Sequence, residues 1–204
     1  MLPIFLARRR RLLVLLPGPR RPSGSSLPWD SGLTDIGRLM LTDGEQRSLD
    51  EEGFVILHDI LRREQVDAIV ERIQRMAETS ERDYSREAFV EPEMIKVLDL
   101  INGGEVFDVG YTHPRVLAAA KYVLGGDMKF HSMGSRSATP GYGRQALHLD
   151  FRRDLGQTHP AGCNTLWTLV DFCRHNGGTR LVPGSHRSSQ NPREVLDDPE
   201  ADVT

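Results

Sequence analysis

The 204 residues predict an α+β fold in which N-terminal helices back an antiparallel sheet system. Helical periodicity is gathered before Gly126, as in residues 62–79, where Val66, Ile69, Val70, Ile73 and Met76 recur at helical spacing. Beyond Gly126 the chain breaks into short strand-like runs, "MKFHSMGSRSAT", "RQALHLDF", "NTLWTLVDF" and "TRLV", separated by "PGYG", "HPAG", "HNGG" and "PGSH". Helices followed by strands, without alternation, argue for segregated layers and antiparallel pairing. Hydrophobic residues at 38% and charged residues at 27% fit a globular domain able to bury a core.

Taken in order, residues 1–39 form an arginine- and proline-rich leader, with seven Arg against Asp30 and Asp35. The leader reads as disordered or as an upstream-start artefact, with an organelle transit peptide as the alternative. A chain beginning at Met40 is therefore expected to melt where the full chain does. The domain proper is expected over 40–204. Thr42 with Glu45 forms a capping box for a helix over 43–52, and Gly53 stops it. "FVIL" at 54–57 is a short strand. In the helix over 62–79, Glu71, Arg72 and Arg75 read as a solvated face. Residues 81–93 read as loop and 93–102 as a second long helix. "THPRVLAAAKYVLGG" is a third, with Pro114 in its first turn and Gly125 at its stop.

Composition also excludes. A net charge of −3 leaves no nucleic-acid footprint, and "LLVLL" at 12–16 is far too short to span a bilayer. Cys163 and Cys173, ten apart, form neither a CxxC pair nor a disulfide framework, and read as small hydrophobes of a reducing compartment. The expected location is cytoplasmic, or an organelle if the leader is a transit peptide. Oligomeric state has no sequence signal.

The chemistry-bearing stretch is "RQALHLDFRRD", residues 144–154. In a strand, residues two apart share a face, so His148 and Asp150 point the same way, with Leu147 and Leu149 in the opposite layer. An imidazole and a carboxylate on one face are two adjacent ligands for a divalent metal. One more histidine completes the facial triad of non-haem iron oxygenases. Alone, H-x-D recurs by chance and equally suits an edge strand's surface.

Four stretches add context: "LTDGEQRSLDEEGFVILHDIL", "VLDLINGGEVFDVGYTHPRVLAAAKYVLGG", "ATPGYGRQALHLDF" and "LWTLVDFCRHNGGTRLVPGSHR". Together the chain resembles the phytanoyl-CoA dioxygenase family of Fe(II)/2-oxoglutarate oxygenases. The resemblance implies a double-stranded β-helix, or jelly roll, with His148 and Asp150 as iron ligands and Trp167 lining the co-substrate pocket. It implies Fe(II), 2-oxoglutarate and O2, ascorbate as a possible reductant, and a small-molecule substrate. Gln145 lies near enough to His148 to contact 2-oxoglutarate, and Arg136 could offer a carboxylate its fork or simply occupy the sheet surface. Asp150 itself favours hydroxylation over halogenation, for which related enzymes replace the carboxylate.

In that family the distal iron histidine lies beyond the PGSH turn and is followed by an arginine that holds the far carboxylate of 2-oxoglutarate. The eighteen residues after His186 contain no histidine, and Arg193 follows Pro192 in a polar loop. The domain is thus expected to be incomplete at its C-terminus, with weak Fe(II) binding and no assigned third ligand. His186 reads as a structural turn residue, His159 as a solvated loop residue and His175 as a turn residue. His131 faces either pocket or core, and His58 and His113 read as surface positions. Three functions remain open: a dioxygenase hydroxylating a small organic substrate, or a piece of one; an inactive, truncated metal-binding remnant; and a cupin-type hydrolase or isomerase completing its site with His131 or His159.

Overall fold

A computed structural model describes residues 11–15, 40–79, 88–91, 94–142, 145, 147–151, 162–173 and 176–187. His159, His175 and Arg193 lie outside the described residues. The fold is α+β, with the helical half built as the sequence dictates. Helix α1 (Asp43–Glu51) opens on the reciprocal capping box, the Thr42 side chain accepting from Glu45 N–H and the Glu45 carboxylate accepting from Thr42 N–H. Strand β2 (Phe54–His58) buries Val55 and Leu57 in alternation, and α2 (Arg63–Thr79) buries Val66 and Ile69. Helix α4 (Pro114–Leu124) starts on its proline and ends at Gly125 in the left-handed region, preceded by the single turn α3 (Val109–Thr112). Arg72 is not merely solvated, because its Nε donates to the Gly103 carbonyl at 2.7 Å.

Two three-stranded antiparallel sheets accompany these helices. One has the order β2-β1-β6, where β1 is Arg11–Leu15 and β6 is Asn164–Trp167. The other has the order β3-β4-β5, comprising Ala88–Glu91, Met94–Val97 and Ser135–Ala138. The second corrects the sequence reading twice. Residues 88–91 are strand rather than loop, and the expected helix over 93–102 is instead β4 followed by a 3-10 turn at Leu100–Asn102. Ladder pairing on both sides of β4 supplies its backbone partners, and β-branched Ile95 and Val97 suit a pleated surface. The run "MIKVLDLIN" is apolar enough for either periodicity, so tertiary pairing decided the outcome.

Two hydrophobic cores form. Leu41, Leu49, Val55, Leu57, Val116, Ala119 and Val123 close α1, β2 and α4 together. Leu61, Val66, Ile69, Val97, Leu100 and Phe107 close α2 against β4 and the 3-10 turns. Each fully buried aliphatic side chain of this size contributes about 1.5–3 kcal/mol relative to exposure. The "PGSH" turn docks far back on the chain. Gly184 N–H donates to the Glu52 carbonyl at 2.8 Å, Arg187 reaches the Asp50 carbonyl, and the buried His186 sets Nε2 3.2 Å from that same oxygen. The His186 ring fills the space over Gly53, where a Cβ would stand 2.3 Å from Nδ1 at a φ of +86°. Gly53 is thus required twice, by its conformation and by the ring above it.

The leader expectation does not extend to Arg11–Leu15. That strand lies between β2 and β6, with Leu13 opposite both Ile56 and Leu166. A chain beginning at Met40 should consequently melt roughly 4–8 °C below the full chain, the shift that about 2 kcal/mol produces at this size. Equal midpoints in a thermal scan would show that β1 pairing contributes nothing. A second outcome concerns pH. Burial alone raises the Glu45 carboxyl, but the Thr42 N–H, the Arg115 guanidinium and the Thr42 side chain together hold it below its ordinary 4.5. A carboxyl lowered in the folded state contributes stability that is present above its unfolded value and lost as pH falls through the folded one. Between about pH 5 and pH 3 the parent should lose stability more steeply than Glu45→Gln, and parallel denaturation profiles would contradict this.

Candidate metal and co-substrate site

Residues 147–151 carry no regular structure, so the strand expected over "RQALHLDF" does not form in the described part of that stretch. Side chains tie the segment to the beginning of β6 instead. Asn164 Nδ2 donates to Asp150 Oδ2 at 2.7 Å. The Phe151 ring lies on Gly162, where a Cβ would come within 2.2 Å of it. The glycine thus lets an aromatic ring close over the backbone one turn of chain before Asn164.

His148 and Asp150 nonetheless lie side by side. His148 Nε2 stands 3.1 Å from Asp150 Oδ1, and their side chains keep 43% and 35% exposure. Leu147 is half-buried, as an opposite layer requires, but Leu149 is 46% exposed and covers no core. Asp150 therefore divides its oxygens, Oδ2 held by the Asn164 amide and Oδ1 turned to the imidazole. In the Nε2-protonated tautomer the histidine donates across this gap. In the Nδ1-protonated tautomer Nε2 instead presents a lone pair, and it and Oδ1 can ligate one cation. Two ligands about 2.1 Å from a shared metal at a right angle stand about 3.0 Å apart, which is the separation seen here. The residues present thus fit two adjacent positions of a divalent metal site. Among the described residues no group of three His, Cys, Asp or Glu converges on such a site. His131 is exposed beside Ser132 Oγ at 3.0 Å, and His186 is committed to the α1–β2 turn.

Gln145 and Arg136 also meet. Arg136, on β5, donates from Nη1 to Gln145 Oε1 at 2.7 Å, and from Nε toward Met94 Sδ at 3.3 Å. Arg180 Nη2 reaches the Gln145 carbonyl at 3.4 Å. Trp167 ends β6 half-buried, packed against both cores, with its indole N–H buried and unpartnered among the described residues. Sequence reasoning missed Asn164 and Arg180. Asn164 sits fourteen residues beyond its aspartate, and no local spacing reports a contact made through a loop. His113 is not the surface residue expected, since it is half-buried and burial, with Arg115 nearby, lowers its pKa.

A profile of the phytanoyl-CoA dioxygenase family matches residues 49–203. The chain belongs to that family. Ectoine dioxygenase of Bordetella parapertussis is 29% identical over 162 residues, covering 72% of this chain and 50% of the relative. An Fe(II)/2-oxoglutarate-dependent dioxygenase of Aspergillus novofumigatus is 32% identical over 154 residues, 67% of this chain and 51% of its own. A dioxygenase of Aspergillus terreus is 29% identical over 153 residues, with 68% and 52% covered. The chain spans about half the length of these curated relatives. No solved structure matches it significantly. Among the described residues no helix is long and apolar enough to cross a membrane.

The two thiols differ sharply. Cys163, between Gly162 and Asn164, packs at the edge of the first core, and desolvation pushes its thiol up to about 12. Cys173 is exposed. The thiolate is the reactive form. At pH 8 iodoacetamide should therefore label Cys173 alone in the native chain and both cysteines after denaturation. Native labelling of Cys163 at a comparable rate, read by peptide mass, would contradict the desolvation of this half-buried thiol.

Proposed function

We propose that the chain carries the iron-binding part of an Fe(II)/2-oxoglutarate-dependent dioxygenase that hydroxylates a small organic substrate. The observation that carries this reading is the His148–Asp150 pair at the separation of two adjacent metal ligands, in a chain of this family. The relatives' printed activities, on ectoine in one case and 2-oxoglutarate-dependent in another, agree in reaction class. On this reading His148 Nε2 and Asp150 Oδ1 hold iron. Asn164 is a positioning residue that fixes the carboxylate so that Oδ1 alone faces the metal. Bound Fe(II), with 2-oxoglutarate and O2 and with ascorbate as reductant, supplies the oxidising power to place oxygen in a C–H bond.

The protein's own part is orientation. Arg136 and Gln145 offer charge and amide contacts to a carboxylate three residues ahead of His148. The buried Trp167 indole N–H, unpartnered among the described residues, supplies a donor for the same co-substrate. The two small antiparallel sheets, with helices α1, α2 and α4 packed on them, are read as part of the family's double-stranded β-helix.

The test is spectroscopic. Under anaerobic conditions the parent with Fe(II) and 2-oxoglutarate should develop the visible charge-transfer band of an iron-chelated 2-oxo acid. His148→Ala and Asp150→Ala should each abolish it, with far-UV circular dichroism unchanged. Asn164→Ala should retain the band but need about 10–100-fold more Fe(II). A parent without the band, or an Asp150→Ala variant that keeps it, would overturn the assignment.

A further inference from the structure

Arg180 is marked neither by spacing nor by resemblance, yet it shares Gln145 with Arg136. One guanidinium takes the amide oxygen of Gln145 and the other takes its backbone carbonyl. Two guanidiniums therefore meet at one neutral amide. Every partner of Arg136 and Arg180 among the described residues is uncharged: Met94, Gln145 Oε1 and the Gln145 carbonyl. Like charges placed together are destabilising unless an anion offsets them. Neutral oxygens hold the two guanidiniums in place without cancelling their charge. Arg136 and Gln145 are exposed and Arg180 half-buried, so the group is open to a solute. A guanidinium fork matches a planar carboxylate, and two forks aimed at one residue define a narrow position for it.

We propose that Arg136 and Arg180, spaced by Gln145, form a carboxylate-binding subsite beside the His148–Asp150 pair. Its part in catalysis rests on the metal reading above; its affinity for an anion does not. Two sources present this chemistry, the far carboxylate of 2-oxoglutarate and a carboxylate on the substrate to be oxidised. Arg180 then contributes specificity for an acidic ligand that Arg136 alone, on an open strand face, does not.

Glutarate is the probe, since it carries carboxylates but no 2-oxo group with which to chelate iron. Isothermal titration should show the metal-free parent binding glutarate, with Arg136→Gln and Arg180→Gln each weakening it about tenfold or more. Arg180→Lys, which keeps the charge, should recover part of the loss and so separates recognition from a folding defect. Asp150→Ala should bind glutarate as the parent does while losing Fe(II). If the parent binds glutarate but no iron, the metal reading falls and the subsite stands.

With Fe(II) present, 2-oxovalerate, which lacks the far carboxylate, distinguishes the sources. If the co-substrate is the source, the parent prefers 2-oxoglutarate over 2-oxovalerate and Arg180→Gln erases the preference. If the substrate is the source, that preference is insensitive to Arg180, and glutarate still binds the 2-oxoglutarate-loaded chain through it. A parent that does not bind glutarate, or arginine variants that bind it with parental affinity, would overturn the proposal.

Discussion

The packing of Trp167 is the constraint on which the described structure turns. Its indole touches the core under α1, β2 and α4 and also the core under α2 and β4. Two separately closed hydrophobic clusters thereby acquire a common wall, and that wall is the last residue of β6. The same strand begins with Asn164, which holds Asp150, and is preceded by Gly162, which seats Phe151. Four residues of strand thus link the cores to the described residues 147–151, which carry no ladder. An exposed His and Asp on irregular backbone would otherwise sample many separations. Asp150 is tied to that packed strand through Asn164, and His148 stands beside it.

The helical half was legible because its signals are local. A capping box, a proline at a first helical turn and a glycine at a stop each depend on residues within about four positions. They hold at Thr42, Pro114 and Gly125. The misread region, 88–102, fails for the opposite reason. "MIKVLDLIN" has no boundary residue that distinguishes strand from helix, and its state follows from β3 and β5 on either side. Likewise nothing in "RLLVL" announces the middle strand of a sheet, because its partners lie about forty and about a hundred and fifty positions away.

The candidate site divides along the same line. That His148 and Asp150 are neighbours is expected of extended backbone, and the two side chains stand 3.1 Å apart although the described residues 147–151 carry no strand. Arg136 and Gln145 are each legible as candidates from their closeness to the H-x-D stretch, but that they meet is a tertiary fact. Asn164 and Arg180 reach the site only through the tertiary fold, as polar residues in runs that otherwise read as sheet. A residue that acts by holding another carries no chemical signature of its own in a single sequence.

The docking of the "PGSH" turn on the α1–β2 turn has a consequence for synthesis. His186 and the Asp50 carbonyl are 136 positions apart. At translation rates of about 5–20 residues per second, the early turn therefore waits roughly 7–27 s for its partner to be made. During that interval Gly53 lacks the ring that covers it, and the first helix–strand unit depends on its own apolar contacts alone. Such a separation places this contact among the late, topology-limited events of folding.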